Sequence, residues 1–316
     1  MKTAAKIAAG ILAALVLVVV VSIAATFAPD RAVSELQARW APAPSVFLDV
    51  AGMKVHLRDE GPRGDPCPII LIHGTSSSLH TWEGWVHSLK GQRRTISFDL
   101  PGFGLTGPSP DGDYTIPSYV RFMRAMLDKL GIRHCVLAGN SFGGWVAWET
   151  ALSLPDRIDK LILVDANGYP RNSTSIPIGF RIARIPVLNR LLDITLPRHI
   201  VASSVREVYG DPSRVTPELV DRYYEITLRA GNRHALAERF KQAQPGSDAY
   251  RIRELKLPTL ILWGGRDRLI PPDNAARFHH DITGSQLVIF DTLGHVPHEE
   301  DPVRTAAAAK KFLDIK

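Results

Sequence analysis

Residues 134–145, His-Cys-Val-Leu-Ala-Gly-Asn-Ser-Phe-Gly-Gly-Trp, decide the fold. An apolar run stops at Gly139-Asn140-Ser141-Phe142-Gly143, and a helical pattern follows until Pro155 ends it. The G-x-S-x-G spacing predicts a serine on a sharp turn between a strand and a helix, with small neighbours that let the backbones close up. Its hydroxyl then stands above a sheet, over N–H groups that have no acceptor within the helix. A loop serine among small residues fits the same five residues, so the rest of the chain has to choose.

Upstream, residues 46–50 and 53–59 alternate around Gly52 as an antiparallel hairpin. The apolar run 69–72 enters the loop His73-Gly74-Thr75-Ser76, and 94–98 enters Asp99-Leu100-Pro101-Gly102-Phe103-Gly104. Residues 117–130 carry Val120, Met123, Leu127 and Leu130 on one helical face. After the elbow, 160–164, 259–263 and 287–290 are further short apolar runs. Such runs separated by helices predict an α/β fold with a mostly parallel, eight-stranded sheet covered on both faces. One region breaks the rhythm. From about 169 to 245 the pattern is helical, around 180–192, 200–209, 217–230 and 232–244, and reads as a helical cap inserted after strand six. This region holds eleven arginines and one lysine against seven acids, most of the excess behind a net charge of +6.

At the N-terminus, residues 7–28 contain no charge and are long enough for a transmembrane anchor. Lys2 and Lys6 precede them, which predicts a cytoplasmic N-terminus, residues 1–6, and an extracytoplasmic catalytic body in a single-pass membrane protein. A cleaved signal peptide ending near Thr26-Phe27-Ala28 is the alternative. Residues 29–45 read as a linker, leaving 46–316 for the catalytic domain. No basic run with interleaved aromatics suggests nucleic acid, and the modest positive charge suits an anionic membrane surface. Cys67 and Cys135 fit neither a metal site nor a redox motif, so they read as buried thiols, or as a disulfide if the domain is exported.

A serine nucleophile needs a base, and the base needs a carboxylate to orient it. Gly264-Gly265-Arg266-Asp267 closes one downstream strand and Gly294-His295 follows another, both at the sheet edge where open α/β sheets bind ligands. The order Ser141, Asp267, His295 matches that of α/β-hydrolases. With the loop at His73-Gly74, the Asp99-x-Pro101-Gly102-x-Gly104 turn, and Glu299 and Pro302 after the histidine, residues 46–316 resemble the α/β-hydrolase fold family, in its members with a helical cap. The resemblance implies Ser141 as nucleophile, His295 as general base and then acid, Asp267 as the orienting carboxylate, and the N–H groups of Thr75 and Phe142 as the oxyanion hole. It implies no cofactor and no metal.

Other residues have plainer readings. Asp165 also ends a strand and could supply the triad acid, though strand-end acids commonly cap loops. Asp99 fixes its own turn. His73 orders the oxyanion loop, His80 and His298 face the surface or the cap, and Trp82, Trp145 and Trp148 belong to the core.

Serine at 141 sets aside chemistries that need an aspartate nucleophile. The anchor favours a serine carboxylester hydrolase acting on monoacylglycerol-type or other acyl esters, with Arg181, Arg184, Arg190 and Arg198 of the cap against headgroups or simply solvated. Carbon–carbon bond hydrolysis of ring-cleavage products is the alternative. Gly139-Asn140-Ser141 is common among such enzymes, although Val296 stands where they usually carry tryptophan. A non-catalytic, membrane-tethered binding module is a third reading.

Overall fold

The computed structural model describes residues 2–170, 173–185 and 193–315. Eight strands form one sheet: β1 (Val46–Val50), β2 (Met53–Glu60), β3 (Ile69–Ile72), β4 (Thr95–Phe98), β5 (Cys135–Asn140), β6 (Ile158–Val164), β7 (Thr259–Gly264) and β8 (Gln286–Phe290). Their order is β1-β2-β4-β3-β5-β6-β7-β8. The β1–β2 hairpin is antiparallel and β2 meets β4 antiparallel, while every pairing from β4 to β8 is parallel.

Side chains alternate across this sheet with period two. Ile70, Ile72, Leu137, Leu161, Leu163 and Ile261 join the core on one face. Ile69, Leu71, Val136, Ile162, Val164 and Leu260 join the core on the other. Both sets are buried, which is why the strands read as unbroken apolar runs.

Among the described residues the helices, in chain order, are α1 (Lys2–Ala25), α2 (Val33–Trp40), α3 (Glu83–Leu89), α4 (Ile116–Lys129), α5 (Phe142–Ser153), α6 (Ile178–Ala183), α7 (Arg198–Val208), α8 (Pro217–Thr227), α9 (Asn232–Gln242), α10 (Asp273–Asp281), α11 (Pro297–Glu300) and α12 (Pro302–Phe312). The first face is covered by α4, α5 and α10 through Phe122, Trp148 and Phe278. The second is covered by α3 and α12 through Trp85 and Phe312. Helices α6 to α9 lie between β6 and β7 and form the helical insertion. Of the helix expected at 180–192, residues 178–183 are α6, and 186–192, Arg190 included, lie outside the described residues.

The N-terminal expectation needs correcting. Among the described residues, no helix is long and apolar enough to cross a membrane, so the anchor over 7–28 and the single-pass membrane placement that followed from it are not supported. The physical difference lies at the C-terminal end of the run. Helix α1 stops at Ala25, and residues 26–28 pair with the cap instead: Ala28 donates to the Ile194 carbonyl at 2.9 Å and Leu196 donates to the Thr26 carbonyl at 3.1 Å. Ala28 packs against Leu196 and Leu228 of the protein itself.

The segment that follows also differs from a bare linker. Helix α2 buries Leu36 and places Trp40 Nε1 as donor to Glu225 of α8 at 2.8 Å. Arg31 exchanges backbone hydrogen bonds with Leu228 and Ala230, strapping this segment across the cap.

Candidate active site

The turn at Ser141 has a backbone only a tightly packed elbow would hold. Ser141 sits at φ +55°, ψ −117°, a costly conformation for a residue with a Cβ. Glycine is required around it by space: a methyl at Gly139 would run into the Gly143 carbonyl, and one at Gly143 would run into the carbonyls of Ile72 and His73. The strain is held by backbone bonds, since Ser141 donates to Val164 at 3.0 Å and its carbonyl accepts from Asn167 at 2.9 Å.

The loop after β3 approaches the elbow from the other side. A Cβ at Gly74 would stand 3.2 Å from Ser141 Cβ and 2.9 Å from Asn140 Oδ1. His73 fixes this loop: Nδ1–H donates to the Gly74 carbonyl at 2.7 Å, and Nε2 accepts from Leu100 N–H at 3.0 Å. That pair of bonds uses the neutral imidazole, and burial accordingly holds the His73 pKa below its ordinary value. Thr75 follows at the cavity wall, and the Phe142 N–H is the first of α5. Thr75 and Ser141 thus line one cavity, and the Phe142 N–H adjoins Ser141 in the chain.

His295 and Asp267 meet across the C-terminal ends of β7 and β8. His295 Nδ1 lies 2.6 Å from Asp267 Oδ2, and both side chains are buried. A carboxylate can only accept, so Nδ1 carries the proton and Nε2 the lone pair. Asp267 is itself held, its Oδ1 accepting from Leu269 at 2.8 Å and Ile270 at 3.0 Å. Ser141 and His295 line the same cavity of about 370 Å³. Its remaining wall is largely aliphatic, with Ile182, Leu196, Ile200, Val205 and Leu236 from the cap and Leu269 from the sheet edge.

The fold thus brings together Ser141, Asp267, His295, Thr75 and the start of α5. Asp165 does not bond His295; it lies behind Asp267 and accepts from Gly264 N–H at 2.9 Å. Oxygens of the two aspartates and a ring nitrogen of His295 fall within 4.8 Å of one another. By distance this group could hold an ion, but His295 Nδ1 and both oxygens of Asp267 are already engaged.

Several supporting residues were out of reach of sequence reasoning. Asn140 Nδ2 donates to the carbonyls of His295 at 3.0 Å and Val164 at 3.1 Å, tying the histidine loop to the elbow. Glu300 accepts from Gly294, Gly210 and Asp211, all at 2.8 to 2.9 Å. Glu299 is buried between Arg222, Tyr223 and Thr81, and Tyr223 reaches the cavity. Only the spacing after His295 hinted at either glutamate.

His80 and His298, expected at the surface or facing the cap, are buried; His298 packs on Trp82 with ring centroids 4.1 Å apart. Trp82, Trp145 and Trp148 are core residues. Asp99 fixes more than its own turn, accepting from Leu79, Leu105 and the His56 ring. Both cysteines are free thiols, and burial pushes Cys67 up to about 12, which leaves it unreactive.

A family model described as alpha/beta hydrolase fold matches residues 68–302. The chain belongs to the α/β-hydrolase family. It is 33% identical over 261 residues to an uncharacterised protein of Mycobacterium tuberculosis, covering 78% of this chain and 75% of that one. It is 30% identical over 257 residues to a 2-hydroxy-6-oxo-2,4-heptadienoate hydrolase of Pseudomonas putida, covering 77% of this chain and 87% of that enzyme. A similar solved structure is a meta-cleavage product hydrolase from Pseudomonas fluorescens, at TM-score 0.72 and 27% identity, covering 86% of this chain and 97% of that one. The family membership makes this chain a hydrolase by fold and relatives.

Proposed function

We propose that the chain is a serine hydrolase of carbonyl compounds, working through an acyl-enzyme on Ser141. The observation that carries this reading is the buried His295–Asp267 pair opening with Ser141 into one aliphatic cavity. His295 Nε2 takes the Ser141 proton as Oγ attacks the carbonyl carbon, and the N–H groups of Thr75 and Phe142 receive the oxyanion. Collapse breaks the bond to the leaving group, to which His295 returns the proton. A water deprotonated by His295 then frees the acid and restores Ser141.

Two bonds suit such a site. We rank carbon–carbon cleavage of ring-cleavage dienones first, because relatives near 30% identity are named for substrates of that class. Gly139-Asn140-Ser141 agrees with it. Ester hydrolysis is the second reading, and the cavity wall favours it. Apart from His295, the basic side chains among its described lining are His199 and Arg233. Arg233 is already engaged by Asp30 and by the Ala28 carbonyl, which leaves a substrate carboxylate a poorer partner than a neutral acyl chain.

A fluorophosphonate probe should label the wild type and not Ser141→Ala; labelling of both variants alike refutes the serine mechanism. Turnover of a 6-substituted 2-hydroxy-6-oxo-dienoate, measured beside a series of 4-nitrophenyl esters, separates the two bonds. A higher kcat/KM for every ester than for the dienoate would reverse our ranking.

A further inference from the structure

Asp165 ends β6 fully buried at φ +45°, beside the triad, and the mechanism above leaves it unused. One of its oxygens, Oδ1, accepts the Gly264 N–H. The other, Oδ2, is buried with no donor from the described residues reaching it. What it has nearby is a second carboxylate, Asp267.

Two buried carboxylates this close cannot both hold their charge. Their surroundings decide which one keeps it. Asp267 accepts three hydrogen bonds, from Leu269, Ile270 and His295, whereas Asp165 accepts one. Three donors favour the anion at Asp267, so the shared proton belongs to Asp165. Placed on Oδ2, it turns a stranded acceptor into a donor.

We propose that Asp165 stands protonated behind the triad and donates a hydrogen bond to the Asp267 carboxylate, a positioning residue that holds Asp267 against His295. This rests on the reading of Ser141, His295 and Asp267 as the catalytic triad. The charged and titratable groups facing Asp165 agree. Burial raises its pKa well above the ordinary value, and the charges of Asp267 and Glu300 act in the same direction; the Gly264 N–H opposes them. Asp165 takes no part in proton transfer to substrate. Its role is to fix the carboxylate that fixes the imidazole.

The test is the pH profile of kcat/KM for 4-nitrophenyl butyrate in Asp165→Ala and Asp165→Asn. Alanine removes the donor, so the Asp267 charge bears more fully on His295: kcat should fall roughly ten- to a hundredfold, the size of one hydrogen bond to a charged group, with KM little changed. The acid limb should move to higher pH. Asparagine can donate the same bond without altering the charge, and should recover most of the activity with the acid limb at its wild-type position.

An acid limb displaced to lower pH in Asp165→Asn would mean that a negative charge had been removed, and the proposal fails. It fails equally if the alanine profile matches the wild type. Should the alanine variant not fold, the infrared difference between wild type and Asp165→Asn at neutral pH decides: loss of a protonated-carboxyl band supports the proposal, and its absence refutes it. Fluorophosphonate labelling of the wild type keeps this outcome separate, since failure of the serine mechanism itself appears as an unlabelled wild type.

Discussion

The backbone N–H of His295 donates to the carbonyl of Val208 at 2.7 Å. Val208 is the last residue of α7, so the loop that carries the histidine is bonded to the end of a cap helix. Gly210 and Gly294 make this approach possible, each lying where a methyl on either would strike the other's backbone. Glu300 closes the contact by accepting from both glycines. Hydrogen bonds therefore join the cap to the loop that carries His295.

Gly294→Ala should consequently damage catalysis as well as stability. The added methyl displaces the His295 loop from Ser141, and a misplacement of about 1 Å can cost about a hundredfold in rate. We expect kcat/KM on a 4-nitrophenyl ester to fall at least tenfold. Gly284→Ala is the control: Gly284 has a positive φ, unlike Gly294, but open space around it, so it should cost about 1 kcal/mol of stability and leave the rate intact. Equal rate losses in both variants would count against the coupling.

Asn140→Ala removes the side-chain bond between the elbow and the buried His295 carbonyl, while the Val164 carbonyl keeps the Ser141 N–H as donor. An unsatisfied buried group costs about 1–3 kcal/mol, so chemical denaturation should register a loss in that range. Activity should fall with it, because the donor ties the residue beside Ser141 to the His295 loop. Unchanged denaturation midpoint and kcat together would remove Asn140 from this role.

Gly143→Ala tests the elbow itself. Its methyl would meet backbone carbonyls of Ile72 and His73, which cannot swing aside as a side chain could. We expect a loss of about 3 kcal/mol, near the upper end for overpacking, read from the urea midpoint. A variant as stable as wild type would show that the β3–α5 crossing is looser than the structure indicates.

Burial lowers His298 from 6.5 to about 3. Its folded-state value is depressed, so the folded protein keeps it neutral while the unfolded chain binds a proton below 6.5. The stabilisation is present above pH 6.5 and is lost as pH falls towards 3. Between pH 4 and 6 this one group should contribute a slope of about 1.4 kcal/mol per pH unit. Unfolding free energies measured across that window should show a correspondingly shallower slope in His298→Gln. An unaltered slope would indicate that His298 is protonated in the folded state.

How far the sequence carried depended on whether the signal was local. The elbow, the seven other strands and the order Ser141, Asp267, His295 each leave a mark within a few residues: an apolar run, a glycine pair, a strand end. The supports of the site do not. Nothing near Asn140 announces a bond to residue 295, and nothing near Asp165 announces a second carboxylate 102 positions away. The run at 7–28 shows the opposite failure. Its apolarity is local and visible, but Ala28 at its end is buried against Leu196 and Leu228, partners that hydropathy cannot see.

By itself, then, the sequence determined the family, the parallel sheet and the candidate nucleophile, base and acid. Each of those follows from short-range periodicity and from strand ends that one sheet must gather at one edge. Only the tertiary structure decided which aspartate holds His295, what the cap presses against, and what the aliphatic cavity can admit. Those are distances between segments far apart in the chain, and they exist only once two buried faces and a helical cap have packed around Ser141.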